Sequence, residues 1–342
     1  MKIALFGPAT PFVRGGAEIL TEDLKLQLEK RGHTVKYFRL PIYDDFSTGI
    51  FLNALCTQML NFDDYDVLIS FKWPAYLAVH KRKNLWMFHQ LRQVYDMFGK
   101  PYGLTDDDHG KTIREMVMQT DIAAFAKANK IYALSQAAVR LQDYLGITAE
   151  VLHTPLQNPE KYHTESTGDY IYCASRVDRM KRQLLIVEAM LYVRSGARLI
   201  LDGKCGDRSL ENEIEAMIEK NNLNDKVIVN NEFVPEQTKI DRYAGCLAGI
   251  YIPLDEDSPG LVSFEIMYSK KALITVNDSG GVAEFANGDH AFVTEPTPQA
   301  IAEKIDFLFE NRDIAEKMGV NAYNYVIGLN INWDDTIGRL LA

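Results

Sequence analysis

Two basic residues five positions apart, Arg176 and Lys181 in SRVDRMKRQ (175–183), stand where the apolar run YIYCAS gives way to a helical pattern. Cations on a strand-to-helix turn can meet above the end of a sheet, which suits an anion; in an ordinary loop they would be solvated. A second stretch, DEDSPGLVSFEIMYSKKALITVNDSGG from 255, puts three acids before a Pro-Gly break, a lone Glu265 after it, and a Gly-Gly loop at its close. The break starts a helix whose first free N–H groups, on Gly260, Leu261 and Val262, also suit an anion. Glu265 lies about a turn and a half into that helix, where a carboxylate can accept two ribose hydroxyls. Asp257, just before the break, can accept the hydroxyls of a sugar. Singly, Glu265 reads as an acid that compensates the helix dipole and Asp257 as an N-cap. Together they describe a site for a ligand that is anionic in one part and polyhydroxylic in another.

A third candidate is RGGAE (14–18), which follows the first apolar run and opens a helix. Gly15 and Gly16 free backbone N–H groups to approach an anion, and Arg14 is either a phosphate contact or a solvated loop residue. The pattern is not GxGxxG, so the dinucleotide fingerprint fails. His89, at the end of NLWMFH, is by position either a functional group or a capped structural residue. The acid runs DED (255–257) and DDD (106–108) invite a metal reading; the first is read here as sugar-binding and the second as a solvated loop.

These residues need a scaffold, and the periodicity supplies one. KIALFG, VKYFRL, DVLISF (66–71), NLWMFH (84–89) and KIYALS (130–135) are apolar runs bounded by turns. The helix from Ala17 shows Leu20, Leu24 and Leu28 on one face and Gly32 at its C-cap. Strands apolar on both faces and alternating with helices indicate a parallel, doubly wound sheet. The polar, proline-bearing segment 153–169 breaks the rhythm as a linker. A second alternation follows: YIYCAS, a helix at 182–193, ARLILDG, a helix at 209–221, KVIVNN, a helix at 236–246, AGIYIPL, and the stretch from 255. The expectation is two Rossmann-like α/β domains, 1–160 and 166–328, facing a cleft, with a tail helix at 331–342 docking back on the first. Ligands bind at strand C-terminal ends in such sheets.

The chain's 342 residues exceed what one core usually supports, which agrees with two domains. Its four cysteines (56, 173, 205 and 246) form no CxxC or Cys/His cluster. That argues against structural zinc and a disulfide scaffold and for a cytoplasmic location. Neither a signal peptide nor a transmembrane run is expected. The net charge of −10 argues against nucleic acid as a partner. Residues 1–165 carry 19 basic and 19 acidic side chains, and residues 166–342 carry 18 and 28. Any contact with a membrane surface or anionic carrier therefore falls to the first half.

A strand followed by (E/D)-x7-E, a further strand and DSGG resembles the donor site of the retaining glycosyltransferases of family 4, which have the two-Rossmann GT-B fold. RGGAE with RGHTV, the R-x4-K turn in SRVDRMKRQ, NEFVPEQ and ALSQAAVRLQDYLG extend the resemblance over nearly the whole chain. HQLRQVYDMFGKPYG is similar to a subgroup acting in bacterial surface-polysaccharide assembly. The first acid of the motif is Asp257, one methylene shorter than glutamate, and Glu256 is the alternative for that role.

By resemblance, Arg176 and Lys181 grip the diphosphate of a nucleotide sugar, with Gly15 and Gly16 facing it from the other domain. Glu265 holds the ribose, Asp257 the transferred sugar, and Phe233 and Val234 of NEFVPEQ the nucleobase. His89 lies beside the donor sugar. The resemblance implies a retaining hexosyltransferase, UDP-sugar favoured, with a glycan, lipid-linked or small hydroxyl acceptor met by loops near 41–60 and 92–115. No cofactor or metal is expected. A charge pair at 4 Å is worth about 4 kcal/mol at an effective dielectric near 20, so Arg176, Lys181 and a helix N-terminus can neutralise a departing diphosphate. A UDP-sugar epimerase on the same scaffold and a catalytically inactive nucleotide-sugar-binding protein are the alternatives.

Overall fold

The computed structural model describes residues 1–9, 15–42 and 48–342. These divide into two compact units: 1–155 with 332–342, and 156–331.

The first unit is built from β1 (Lys2–Ala9), α1 (Gly16–Lys30), β2 (Thr34–Pro41), α2 (Thr48–Gln58), β3 (Val67–Lys72), β4 (Lys83–His89), α3 (Asp108–Phe125), β5 (Lys130–Ala133), α4 (Ser135–Leu145) and β6 (Glu150–Val151). Its six strands lie in the order β2-β1-β3-β4-β5-β6, all parallel. Alternate residues of a strand face opposite layers. Ile3 and Leu5 pack with Leu20, Leu24 and Leu28 of α1, while Ala4 and Phe6 join Phe62, Ala75 and Ala78 on the other face.

The second unit holds β7 (Tyr170–Ala174), α5 (Gln183–Ala189), β8 (Arg198–Asp202), α6 (Arg208–Lys220), β9 (Val227–Asn230), α7 (Glu236–Gly245), β10 (Ala248–Ile250), α8 (Gly260–Tyr268), β11 (Ala272–Val276), α9 (Gly281–Phe285), β12 (Ala291–Thr294), α10 (Pro298–Glu310) and α11 (Arg312–Gly328). Its order, β12-β11-β10-β7-β8-β9, is again wholly parallel. The same alternation sends Ile171 and Cys173 to one layer, with Ile186, Ile214 and Ile301, and Tyr172 and Ala174 to the other, with Tyr243, Phe264 and Met267. β11 is buried along its whole length, which is why ALITV shows no polar alternation. The sheets reverse direction of winding between β1 and β3 and between β7 and β10, so residues after those strands sit at switch points.

A last helix, α12 (Trp333–Leu341), belongs to the first unit. Its stripe of Trp333, Ile337 and Leu340 enters the first core. Asn84 Nδ2 donates to the Leu340 carbonyl at 2.7 Å, and the Tyr132 hydroxyl donates to that of Arg339 at 3.0 Å.

Three local expectations change. KIYALS is a strand only to Ala133, and Ser135 already opens α4. AGIYIPL is a strand only over Ala248–Ile250. The DDD run is exposed, as read, but it is not all loop: Asp107 is the N-cap of α3, its Oδ1 accepting the Gly110 N–H at 2.7 Å, and Asp108 is the first helical residue. Among the described residues, no helix is long and apolar enough to cross a membrane, and no group of three His, Cys, Asp or Glu side chains could hold a metal.

Candidate active site

The second unit gathers most of the predicted residues at the ends of β7, β10 and β11. The turn after β7 is closed from within by Gln183, whose Nε2 donates to Ser175 Oγ at 2.8 Å and to the Arg176 carbonyl at 2.9 Å. Asp178 ties both basic residues to this turn: Arg176 Nη2 donates to its Oδ2 at 2.6 Å, and the Lys181 N–H to its Oδ1 at 3.0 Å. The Arg176 side chain remains 48% exposed. The Lys181 side chain is only 17% exposed, with its ammonium on Glu256 and donating to the Tyr251 hydroxyl at 2.7 Å. Burial pulls an ammonium down, but Glu256 and Tyr251 outweigh it and hold Lys181 above the ordinary lysine value. A fixed cation therefore stands at the β7/β10 switch point.

The acid run is fastened to the loop after β11. The N–H groups of Asp255 and Glu256 donate to the carbonyls of Asp278 and Ser279 at 2.8 and 3.2 Å, and the Gly281 N–H returns to Glu256 at 2.8 Å. The two glycines make this approach possible. A Cβ on Gly280 (φ +59°) would lie 2.5 Å from the Glu256 carbonyl oxygen, and one on Gly281 2.6 Å from Ser258 Cα. Arg182 locks the arrangement: its guanidinium meets both Asp278 carboxylate oxygens at 2.9 and 2.7 Å and the carbonyls of Ile252 and Pro253 at 2.8 and 2.9 Å. Sequence reading passed over Arg182, whose contacts lie 70 to 96 residues away. A basic residue next to Lys181 at the same strand edge was the available signal.

Asp257 is buried, whereas Glu256 is the acid on Lys181. Asp257 is not an N-cap either, because α8 is capped by Pro259 and the Gly260 N–H is taken by Ser258 Oγ at 3.1 Å. Gly260 therefore does not offer the free N–H expected of it; Leu261 and Val262 follow, half-buried, in the first turn. Glu265 is 6% exposed and is paired with Lys239 of α7. Phe233, 61% exposed, and Val234 lie in the loop between β9 and α7, past the end of the strand.

The remaining predicted residues lie in the first unit. Gly15 is the N-cap of α1, and its N–H donates to Glu18 Oε2 at 2.9 Å, so this donor is satisfied locally. A Cβ on Gly16 would meet nothing within 4 Å, so packing does not demand glycine there. Arg14 lies outside the described residues, as does part of the 41–60 segment. Glu18 also faces Lys72 Nζ at 3.6 Å; burial would raise its pKa, but Lys72 and the Gly15 N–H hold it below the usual carboxylate range. His89 pairs in register with Lys72 at the ends of β4 and β3. Its Nδ1 faces the Gln90 carbonyl at 2.6 Å, and burial together with Lys72 lowers its pKa to about 4. It is thus a neutral imidazole at physiological pH. Lys72 was another residue the sequence reading did not single out.

Residues 157–325 match the family model of glycosyl transferases group 1, so the second unit is related to that family. Human alpha-1,3/1,6-mannosyltransferase ALG2 is 27% identical over 159 residues, and its mouse counterpart 26%. The alignments take in 43% of this chain and 38% of those proteins, so the chain spans well under half the length of the curated relatives it matches. Among solved structures, sucrose-phosphate synthase from Thermosynechococcus elongatus superposes with a TM-score of 0.78 at 16% identity, covering 99% of this chain and 98% of that one. The Anabaena HepE protein in complex with UDP and glucose gives 0.70 at 16%, covering 100% and 99%. A glycosyltransferase from Rickettsia africae gives 0.70 at 19%, covering 99% and 97%. The chain has the GT-B fold.

Proposed function

We propose, from a second unit related to the glycosyl transferases group 1, that the chain is a retaining glycosyltransferase that needs no metal and uses a UDP-sugar donor. The observation that carries this reading is Lys181, a nearly buried ammonium kept charged by Glu256 and Tyr251 at the β7/β10 switch point. HepE, of like fold, is known in complexes with UDP and with UDP-glucose, which favours UDP over other nucleotides here.

In the proposed reaction the bond between the anomeric carbon and the β-phosphate oxygen breaks while the acceptor oxygen attacks from the same face. The acceptor proton passes to the departing phosphate. Negative charge grows on that phosphate, and Lys181 with the more exposed Arg176 neutralises it. Arg182 and Gln183 position these cations rather than meet the donor. Glu265 accepts the ribose hydroxyls, and the nucleobase lies by Phe233 and Val234. Asp257 or Glu256 takes the sugar-hydroxyl role, Glu256 being the acid beside Lys181. Gly15 and Gly16 are proposed as diphosphate contacts; the Gly15 N–H is held by Glu18, and a Cβ on Gly16 would meet nothing within 4 Å. His89 is a neutral hydrogen-bonding partner of the donor sugar, not a proton donor.

The acceptor is a glycan, a lipid-linked glycan or a small hydroxyl compound. The first unit offers an uncharged run from Thr48 through Asn61, and α2 with the residues after it exposes Leu52, Leu55 and Met59. Such a face suits a lipid-linked acceptor or a membrane surface.

The test is Lys181→Met assayed with UDP-sugars. Turnover should fall by about a hundredfold or more, the scale of losing one charge-stabilising group, measured at a temperature well below the lowered melting point that an unpaired Glu256 will cause, with activity insensitive to EDTA. Unaltered turnover would remove Lys181 from the mechanism. Rapid epimer formation from donor alone would instead indicate an epimerase.

A further inference from the structure

Glu265 is withdrawn from water on the second turn of α8, and a carboxylate in that position requires a counter-charge and hydrogen bonds. Both come from elsewhere in the unit. Lys239, on α7, places its ammonium on Oε1, and the two side chains are 24% and 8% exposed. Tyr162, from the segment leading into β7, also hydrogen-bonds to Glu265; burial and that carboxylate's charge hold its phenol above the ordinary tyrosine range. The Tyr243 hydroxyl is fully buried in the same cluster and has no hydrogen-bond partner among the described residues. The carboxylate is thus turned toward Lys239 although an idle buried donor stands nearby. A group needed only as a core tie would be expected to satisfy that donor.

We infer that Lys239 is a positioning residue for the donor: it aims the Glu265 carboxylate at the ribose 2′- and 3′-hydroxyls and so sets discrimination between ribonucleotide and deoxyribonucleotide sugars. This rests on Glu265 as the ribose holder. Lys239→Met keeps an unbranched apolar stem of similar length and removes the charge. A carboxylate accepting two hydroxyls must present both lone-pair directions to them. A cation fixed on one oxygen leaves a single orientation in which this is met.

The experiment is calorimetric titration of UDP and of 2′-deoxy-UDP into the full chain and into Lys239→Met, Lys239→Arg and Glu265→Gln. Wild type should prefer UDP by about tenfold or more, the scale of a hydrogen bond to a charged group. Lys239→Met should lose most of that preference through weaker UDP binding, with 2′-deoxy-UDP affinity unchanged, and Lys239→Arg should restore it. Lys239→Gln takes the same measurement if the Met variant does not fold. Wild type that binds the two nucleotides alike brings down the ribose role of Glu265 and the inference with it. Wild type that discriminates, with Glu265→Gln blind and Lys239→Met still selective, overturns the Lys239 role alone. Equal loss of both nucleotides in Lys239→Met makes the residue a structural tie and also overturns it.

Discussion

Lys83 and Lys181 are both lysines withdrawn from water, one in each unit, and they are treated in opposite ways. Lys83, at the start of β4, donates to the carbonyls of Tyr76 and Ala124 at 3.0 and 2.9 Å, and burial brings its pKa down to about 8. Lys181 meets a carboxylate and is held above the ordinary value. The acids repeat the contrast. Asp121, wholly buried in the first unit, accepts the hydroxyls of Tyr76 and Tyr95 at 2.8 and 2.7 Å, and burial raises its pKa to about 7. Asp202, as deeply buried at the end of β8, is paired with Arg242. Burial without a counter-ion moves a group toward neutrality; burial with one fixes its charge. The first core thus contains groups whose pKa values burial brings to about 7 and about 8, whereas Lys181 at the candidate donor edge is held above the ordinary lysine value by its partners.

The contrast is broken most directly at Asp121. Its folded pKa lies above the unfolded one, so wild-type stability is greatest below about pH 4 on this account and is lost as pH rises to about 7. Comparing unfolding free energies of wild type and Asp121→Asn should show a relative gain for the variant approaching about 4 kcal/mol across that window; parallel curves would mean the carboxylate is ionised throughout. For Lys83 the sign reverses. Its folded pKa is depressed, so stability is lost as pH falls from 10.5 toward about 8, and wild type should gain about 3 kcal/mol over Lys83→Met as pH rises through that range. Lys181→Met should show no such gain below pH 10.5, since the Lys181 contribution is present there and fades only at higher pH. A smaller effect sharpens the picture of the donor edge: Gly281→Ala presses a Cβ onto Ser258 Cα and should cost about 2 kcal/mol in urea denaturation, with a further fall in activity as the Glu256 loop shifts.

Local signals carried much of this molecule. ALITV, YIYCAS and the Pro259-Gly260 break are short-range patterns, and β7, β11 and the start of α8 appear where those patterns place them. The R-x4-K turn was visible because strand, turn and helix are contiguous. What stayed hidden is non-local. Nothing within ten residues of Arg182 announces Asp278, and nothing near Glu265 announces Lys239. Whether Glu256 or Asp257 turns toward Lys181 depends on the backbone pairing of 255–256 with the Asp278–Gly281 loop, a contact between segments joined by a helix and a strand. The DDD run is exposed as read, but its capping role stayed hidden because a solvated acid cluster and a helix N-cap look alike until the following helix is recognised.

The placement of α12 has a consequence for how the chain is made. Asn84 waits for the Leu340 carbonyl across 256 residues, and Trp333, Ile337 and Leu340 complete a core begun by Ile3. On a ribosome the first sheet therefore remains without part of its cover until the whole of 156–331 has been synthesised. The second unit has every strand of its sheet in one uninterrupted segment and is free to fold before the older one closes.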